Sequence, residues 1–325
     1  MKKNKVVSLG GGTGTFPVVT ALKAIDANIS AVISVSDSGG STGRIRDEFG
    51  FQPVGDLRQS LAALANKEGQ EWIQKILLYR FSKGSGLKGH NLGNLILTAL
   101  QDMTGNTTES LDIAEKIFNL EGTIIPVTSS DVNLKIHYAD GSTAVGEHTL
   151  DNTDKNPKKI EKISLTPECS LNPTAEKAFI EAELIIIGPG DHYASLLATL
   201  VTNGTKEAFK KSKAKIMYIS NLMTRRTQTH GMTILDHLTE IEKAIGKKVD
   251  YILINDTTIP KNILEIYAKE QEFPVEDDLN GDKRIIRAEL LLDKIVIKQK
   301  NDIAHRSFLR HDAKKLEKVF KKILG

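Results

Sequence analysis

Short apolar runs alternate with helical repeats along much of the 325-residue chain. The runs "KVVSLG" (5–10) and "ISAVISV" (29–35) flank a helical stretch from about 16 to 25, which predicts a strand–helix–strand unit of a parallel sheet. Three similar runs, "AELIIIGPG", "AKIMYISN" and "VDYILIND", return late, each followed by a helix-like segment. Because continuous apolar strands need cover on both faces, the pattern predicts an α/β fold with a doubly wound, mostly parallel sheet and helical crossovers.

The spacing of apolar residues changes twice in the middle of the chain. From 55 to 120 the apolar residues recur three and four apart, which predicts crossover and capping helices. From about 127 to 171 the pattern alternates, and Asp140-Gly141 sits between two alternating runs, which predicts an inserted β-hairpin region. The last stretch, 310–325, has the spacing of an amphipathic helix with a basic outer face. We therefore expect one α/β domain over 1–325 with a β-rich insertion at 127–171.

The composition of the chain argues against several classes of protein. The 44 basic and 41 acidic residues nearly balance and are spread along the chain, which argues against a nucleic-acid surface. Cys169 is the single cysteine, so no disulfide within the chain is possible and a reducing cytoplasm fits. No apolar run approaches the roughly 20 residues of a membrane span, and the basic start leads straight into a strand instead of a signal-peptide core. The sequence predicts a cytoplasmic protein without a membrane span.

The first glycine-rich loop follows the first predicted strand and opens the first helix. Its residues Gly10, Gly11, Gly12, Thr13 and Gly14 place backbone N–H groups at a helix N-terminus, which predicts a phosphate cradle, with a simple tight turn as the alternative. The loop is not a dinucleotide fingerprint, because Thr15 stands where the third glycine is needed. It is not a P-loop either, since no Gly-Lys-Ser/Thr follows.

A second loop, "SDSGGSTGR", follows the second strand at the edge where open α/β sheets bind ligands. In a dinucleotide protein Asp37 would bind the ribose hydroxyls, so NAD is one possible ligand of this cleft. The additional glycines, hydroxyls and arginines indicate a ligand with more charge than one ribose; these residues are Ser38, Gly39, Gly40, Ser41, Arg44 and Arg46. The alternative is a Ser/Gly surface loop with incidental arginines.

Further candidates follow later segments. Asp56 is either the N-cap of a helix that carries Arg58 in its first turn, or a partner of Asp37 around a hydrated Mg²⁺. "GHNLGN" offers polar groups before an apolar helix. The late strands end in glycine-rich or polar tips. Ligand contacts are expected from these segments at His90, Asn91, Asn94, Gly188, Gly190, Asn221 and Thr224. Turns and helix caps are the alternative explanation for each of them.

In this order, "GGGTG", "SDSGGSTGR", "GDLR", "GHNLGN", "IIIGPG" and "NLMT" resemble the motifs of the YvcK/CofD-like family, and most closely its bacterial YvcK branch of gluconeogenesis factors. The resemblance spans nearly the whole chain. It implies a Rossmann-like core with a UDP-N-acetylglucosamine-like nucleotide sugar as ligand. It also implies a link to cell shape and to growth on gluconeogenic carbon sources. One departure is "MTRRTQT" (223–229), where many relatives read roughly "MTQPGET", so that Arg225 and Arg226 replace Gln-Pro.

By this resemblance the two glycine loops would hold the nucleotide diphosphate, with Asp37 as the leading metal ligand and the best candidate for a catalytic residue. Two functions remain open. One is a regulatory factor that binds a nucleotide sugar and acts on cell-envelope synthesis through a protein partner. The other is a Mg²⁺-dependent transferase similar to 2-phospho-L-lactate transferase. A nicotinamide oxidoreductase is disfavoured by the missing third glycine. The oligomeric state stays open, with a homodimer as one option.

Overall fold

The computed structural model describes residues 3–65, 71–151, 158–294 and 307–325. Its elements, in chain order, are β1 (Lys5–Gly10), α1 (Gly12–Ala24), β2 (Asn28–Ile33), α2 (Gly40–Phe49), α3 (Gly55–Leu64), α4 (Glu71–Leu78), α5 (Leu92–Thr104), α6 (Thr107–Ile117), β3 (Thr123–Pro126), β4 (Asn133–Tyr138), β5 (Thr143–Val145), β6 (Ile160–Thr166), α7 (Pro173–Glu181), β7 (Leu184–Ile187), α8 (Ala198–Leu200), α9 (Thr205–Lys211), β8 (Lys215–Ile219), α10 (Ile234–Ile245), β9 (Tyr251–Asn255), α11 (Lys261–Lys269), β10 (Ile285–Ala288) and α12 (Ala313–Leu324). A π-helical turn, His192–Leu197, leads directly into α8.

The main sheet has seven strands in the order β10-β9-β8-β7-β1-β2-β3, and every neighbouring pair is parallel. The chain starts in the middle with β1, adds β2 and β3 on one side, and then returns to place β7 on the other side of β1. Val6, for example, pairs with Ile29 of β2 and with Leu184 of β7. The strand order therefore reverses between β1 and β7, and this switch point is where open α/β sheets form a ligand crevice.

Strand composition explains why the sheet lies at the centre. All four residues of β7 are fully buried, and Val6, Val7 and Leu9 of β1 are at most 2% exposed. Strands without a polar face require helices on both sides of the sheet. The C-terminal helix α12 buries Leu316, Val319 and Phe320, so the predicted amphipathic helix is confirmed.

The inserted region forms a second sheet with the order β5-β4-β6, all antiparallel. The predicted hairpin turn is present: the Gly141 N–H donates to the Tyr138 carbonyl at 2.9 Å. Arg46 of α2 anchors this sheet, because its buried guanidinium lies 2.7 Å from Asp131 and donates to Asn133 Oδ1 at 2.8 Å. One end of α2 thus holds the insertion in place.

The predicted fold class is confirmed, including the five strands recognised from their apolar runs and the helices between 55 and 120. Two edge strands, β3 and β10, were not predicted. The division into one domain with an insertion at 127–171 stays a prediction. Across the residues that the structure describes, no helix has both the length and the apolar character needed to cross a membrane.

Candidate functional site

A cleft of about 350 Å³ opens at the C-terminal ends of β2, β1, β7 and β8, across the switch point of the sheet. Several predicted site residues line it: Gly11, Thr13, Gly14, Asp37, Gly39, Ser41, Asp56, Arg58, Asn94, Gly190, Asn221 and Thr224. Residues more than 200 positions apart in the sequence therefore line the same cleft, because the loops that follow parallel strands lie at the same edge of the sheet.

The loops after β1 and β7 touch at the centre of the cleft. A Cβ atom on Gly14 would lie 2.2 Å from the Pro189 carbonyl oxygen and 3.0 Å from the Gly190 Cα. Only glycine allows this approach without moving one of the two backbones. The first glycine loop is therefore a close packing element as well as a source of N–H groups.

Three helices, α1, α2 and α3, begin at the cleft, and the residues around their first turns line it. Their N-cap residues, Gly11, Gly39 and Val54, do not cap the helices with their own side chains, although the Gly39 N–H is bound by Asp37. The starts of α9 and α11 also have no such cap, so α1, α2 and α3 differ from them in meeting at one cleft. The first N–H groups of a helix need acceptors and carry a partial positive charge, so three such ends around one cleft favour an anionic ligand.

Two carboxylates stand among these helix ends. Asp37 Oδ1 accepts the Gly39 N–H at 2.7 Å, and Asp37 Oδ2 lies 2.6 Å from where a Cβ on Gly55 would be. Asp56 Oδ2 lies 2.1 Å from the corresponding position on Gly11. Asp56 is not the N-cap of α3, because the helix begins one residue earlier, at Gly55 after Val54.

A metal at this place would have to use ligands from outside the protein as well. Within the described ranges no group of three or more His, Cys, Asp or Glu side chains is placed to hold a metal ion. Two carboxylates completed by phosphate oxygens and water are the usual set for Mg²⁺, so the donor set of Asp37 and Asp56 fits this ion.

On the β2 side of the cleft, buried polar side chains form a hydrogen-bond network. Arg58 is 4% exposed, and its Nε donates to Asn94 Oδ1 at 2.7 Å. The Asn94 amide in turn lies 3.4 Å from the hydroxyls of Ser41 and Thr42. Asn91 caps α5 by accepting the Asn94 N–H at 3.3 Å. This network fixes the side chains that line the cleft floor.

His90 adjoins the network, with its Nδ1 3.3 Å from Ser41 Oγ. Burial, followed by the nearby positive charge of Arg44, lowers the pKa of His90 below its ordinary value. The imidazole is therefore neutral at neutral pH, and it contributes hydrogen bonding to this side of the cleft instead of charge.

The β7 and β8 side carries the second half of the cleft. Asn221 Nδ2 donates to the Gly190 carbonyl at 2.9 Å and so fixes the loop after β7. The buried Thr224 hydroxyl accepts the Phe273 N–H at 3.0 Å. His311 is also in this wall, where burial lowers its pKa to about 4 and the neighbouring Arg310 acts in the same direction.

Within the described part of the chain, the remaining predicted residues do not line the cleft directly. Gly12 and Gly40 begin α1 and α2. Five others are next to lining residues in the chain or contact them: Gly10, Ser38, His90, Asn91 and Gly188. Arg44 is exposed and is not among the described residues that line the cleft. Arg46, which follows it on α2, holds the insertion.

The cleft also contains residues that the sequence analysis missed. Among them are Thr42, Arg80, Glu147, His148, Ser195, Glu272, Arg310 and His311. Thr42 and Ser195 lie within recognised segments and could have been added from them. Glu147 and His148 follow the hairpin strand β5, and no local pattern indicates that this strand leads back to the sheet edge.

Comparison with known proteins gives a consistent result over the whole chain. The family model described as 2-phospho-L-lactate transferase CofD matches residues 6–296. A Thermotoga maritima protein that is provisionally named a gluconeogenesis factor is 38% identical over 320 residues, covering 98% of this chain and 99% of that protein. The Bacillus subtilis gluconeogenesis factor is 35% identical over 326 residues and 99% of both chains.

Among solved structures, a UPF0052 family member from Bacillus halodurans superposes with a TM-score of 0.89 at 34% identity and covers 100% of both chains. The chain is thus similar to these proteins in length, sequence and fold.

Proposed function

Because this chain belongs to the 2-phospho-L-lactate transferase CofD family and is similar to gluconeogenesis factors, we propose that it is a regulatory factor that binds a nucleotide sugar. The expected ligand resembles UDP-N-acetylglucosamine. The factor would act in the cytoplasm, through a protein partner, on cell-envelope synthesis, on cell shape and on growth with gluconeogenic carbon sources.

The observation that carries the proposal is the meeting of three helix N-termini without side-chain caps in one cleft. A diphosphate has several charged oxygens in a short length, so it can accept hydrogen bonds from more than one helix end at once. Glycines in the loops after β1 and β7 have no side chains to cover their backbone N–H groups, so phosphate oxygens can approach these groups closely. A nucleotide sugar places such a diphosphate in its middle, with a base and a sugar on either side.

Asp37 and Asp56 would hold Mg²⁺ in this arrangement, and a bound Mg²⁺ would neutralise charge on the phosphate oxygens. Without a cation, two carboxylates beside a diphosphate would repel it. The proposal therefore expects Mg²⁺ to strengthen binding.

A Mg²⁺-dependent transferase of the 2-phospho-L-lactate transferase type is the second candidate. It is favoured by the same two carboxylates, which flank the phosphate cradle in a chain that matches the CofD family model. Catalysis of phosphoryl transfer relies largely on positioned cations and hydrogen-bond donors, which a binding protein also possesses. The two candidates differ in turnover and not in the cleft they require.

A thermal-shift series tests the proposal, because a ligand that binds only the folded state raises the melting temperature. UDP-N-acetylglucosamine, UDP-glucose, GTP, NAD and NADP are each compared with and without Mg²⁺. A selective response to the two UDP-sugars supports the nucleotide-sugar factor. A response to GTP with Mg²⁺ and none to UDP-sugars contradicts it and favours the transferase, and a response to NAD alone contradicts both.

Turnover is measured separately. UDP-N-acetylglucosamine and Mg²⁺ are incubated for many hours with hydroxyl-bearing acceptors, and the mixture is searched for free nucleotide. Intact ligand supports the regulatory factor, and release of nucleotide that depends on an acceptor supports the transferase.

A further inference from the structure

Within its described residues, the insertion lines the cleft just after β5. Glu147 and His148 line the cleft there, next to the loop that follows β2. Ser38 Oγ accepts the His148 backbone N–H at 3.2 Å and also lies 3.0 Å from the His148 ring nitrogen Nδ1. Two hydrogen bonds from one hydroxyl therefore connect the insertion to the phosphate loop.

This pairing orients the imidazole. The Ser38 hydroxyl can donate its own proton to the ring Nδ1, and in that arrangement the ring carries its proton on Nε2. Gly146 makes the arrangement possible, since its φ is +96° and a Cβ there would lie 2.6 Å from His148 Cε1. The backbone at Gly146 leaves room for the ring on one side, and the Ser38 hydroxyl contacts it on the other.

The two ends of the cleft differ in chemistry. On the β8 side the lining includes the apolar side chains of Leu222, Met223 and Leu309, which lie among polar residues such as Asn221, Thr224, Glu272 and His311. On the β2 side the lining is polar, and it includes Ser41, Thr42, Arg80, Asn94, Glu147 and His148. A planar base is partly apolar, whereas a sugar ring presents hydroxyls on most of its edges. The sheet order puts β8 and β2 on opposite sides of β7 and β1, with the N-terminus of α1, which follows β1, between them.

We propose that Glu147 and His148 of the insertion form the wall that recognises the sugar hydroxyls of the bound nucleotide sugar, with Ser38 as the positioning residue for His148. This inference rests on the proposed function. The Glu147 carboxylate accepts hydrogen bonds from hydroxyl groups, and the His148 Nε2–H donates one. The insertion thus selects the sugar, and the loops of the main sheet bind the diphosphate.

The test compares two probes, UDP-N-acetylglucosamine and UDP, by calorimetry at fixed Mg²⁺. His148→Ala and Glu147→Gln are each expected to weaken UDP-N-acetylglucosamine binding about 3- to 10-fold, the range for losing one hydrogen bond, and to leave UDP binding unchanged. Ser38→Ala is expected to weaken UDP-N-acetylglucosamine binding by a smaller factor, through the lost contact with His148. His137→Ala is the matched control, because His137 belongs to the same sheet but contacts Ser164 and does not line the cleft.

Each outcome has a separate meaning. If the variants weaken UDP and UDP-N-acetylglucosamine equally, the residues act on the shared nucleotide and the inference is wrong. If neither ligand is affected, the inference is also wrong while the proposed function stands. If the unaltered protein binds no UDP-sugar, the proposed function itself fails. A far-UV spectrum and melting temperature equal to those of the His137→Ala control exclude unfolding as the cause of a loss.

Discussion

Arg225 Nη1 lies 2.6 Å from Asp191 Oδ2, so the loops after β7 and β8 are joined by an ion pair at the edge of the cleft. The arginine side chain is only 16% exposed. Arg225 belongs to the "MTRRTQT" segment, and the structure gives it a partner in the loop that begins with Gly188. Its charge offsets that of an acid beside the proposed phosphate site, and it does not simply face solvent.

Arg225→Ala is expected to weaken UDP-N-acetylglucosamine binding about fivefold, or about 1 kcal/mol, because the Asp191 carboxylate loses this cation and repels the diphosphate. The double variant Arg225→Ala/Asp191→Asn should recover most of the lost affinity in calorimetry. Lys215→Ala is a suitable control, since Lys215 pairs with Asp250 at the opposite end of β8. A double variant as weak as the single one would mean that Arg225 contacts the ligand directly.

The core of the fold could be predicted because the central strands are continuously apolar. β7 reads "LIII" and is buried on both faces, which leaves little choice of structure. The edge strands β3 and β10 were missed because each contains only two consecutive isoleucines, followed by Pro126 in β3 and by Arg287 in β10. An apolar run of two residues gives no pattern from which a strand can be distinguished.

The candidate site likewise contains some residues that could be predicted from the sequence and others that could not. Asp37, Gly190 and Asn221 could be grouped in advance, since each follows a strand of one parallel sheet and such loops share an edge. His148 and His311 could not, because they reach the cleft through the insertion and through the segment before α12. Their positions depend on tertiary packing, for which the local sequence carries no signal.

The carboxylates provide a test of the metal. Asp37→Asn is expected to remove most of the Mg²⁺-dependent part of UDP-N-acetylglucosamine affinity, while affinity without Mg²⁺ stays the same or rises because a negative charge beside the diphosphate is gone. Asparagine still accepts the Gly39 N–H, so the loop should keep its shape. Calorimetry with and without Mg²⁺ measures the effect, with Asp26→Asn on the exposed pair with Lys3 as control. Unchanged Mg²⁺ dependence in Asp37→Asn and Asp56→Asn would rule out the proposed metal position.

The contact between the loops after β1 and β7 provides a steric test. Gly14→Ala places a methyl group 2.2 Å from the Pro189 carbonyl oxygen, so the two loops must separate. We expect a loss of about 1–3 kcal/mol in the free energy of unfolding, typical of overpacking, together with loss of nucleotide-sugar binding. Gly86→Ala is the matched control, because a Cβ there meets nothing within 4 Å. Denaturant titration and calorimetry give the two readouts, and wild-type values for Gly14→Ala would show that the loops are not in contact in solution.

Two buried histidines predict how stability depends on pH. Burial lowers the pKa of His237 to about 3, and the nearby His192 acts in the same direction; the centroids of these two stacked rings are 4.4 Å apart. Burial also lowers the pKa of His311 to about 4. Both folded-state values lie below the ordinary 6.5, so the unfolded chain binds protons that the folded chain does not. Stability from these groups is therefore complete above pH 6.5 and falls as the pH drops towards 4, by about 1.4 kcal/mol per pH unit for each histidine. Glu115 acts in the opposite direction, because burial raises its pKa to about 7 and the folded chain then holds a proton that the unfolded chain has lost. The histidine effect is therefore measured as a difference in urea titrations between pH 7 and 5: the unaltered protein should lose about 1.4 kcal/mol per pH unit more than His311→Asn. A slope that is unchanged in His311→Asn would mean that this imidazole titrates normally in the folded protein.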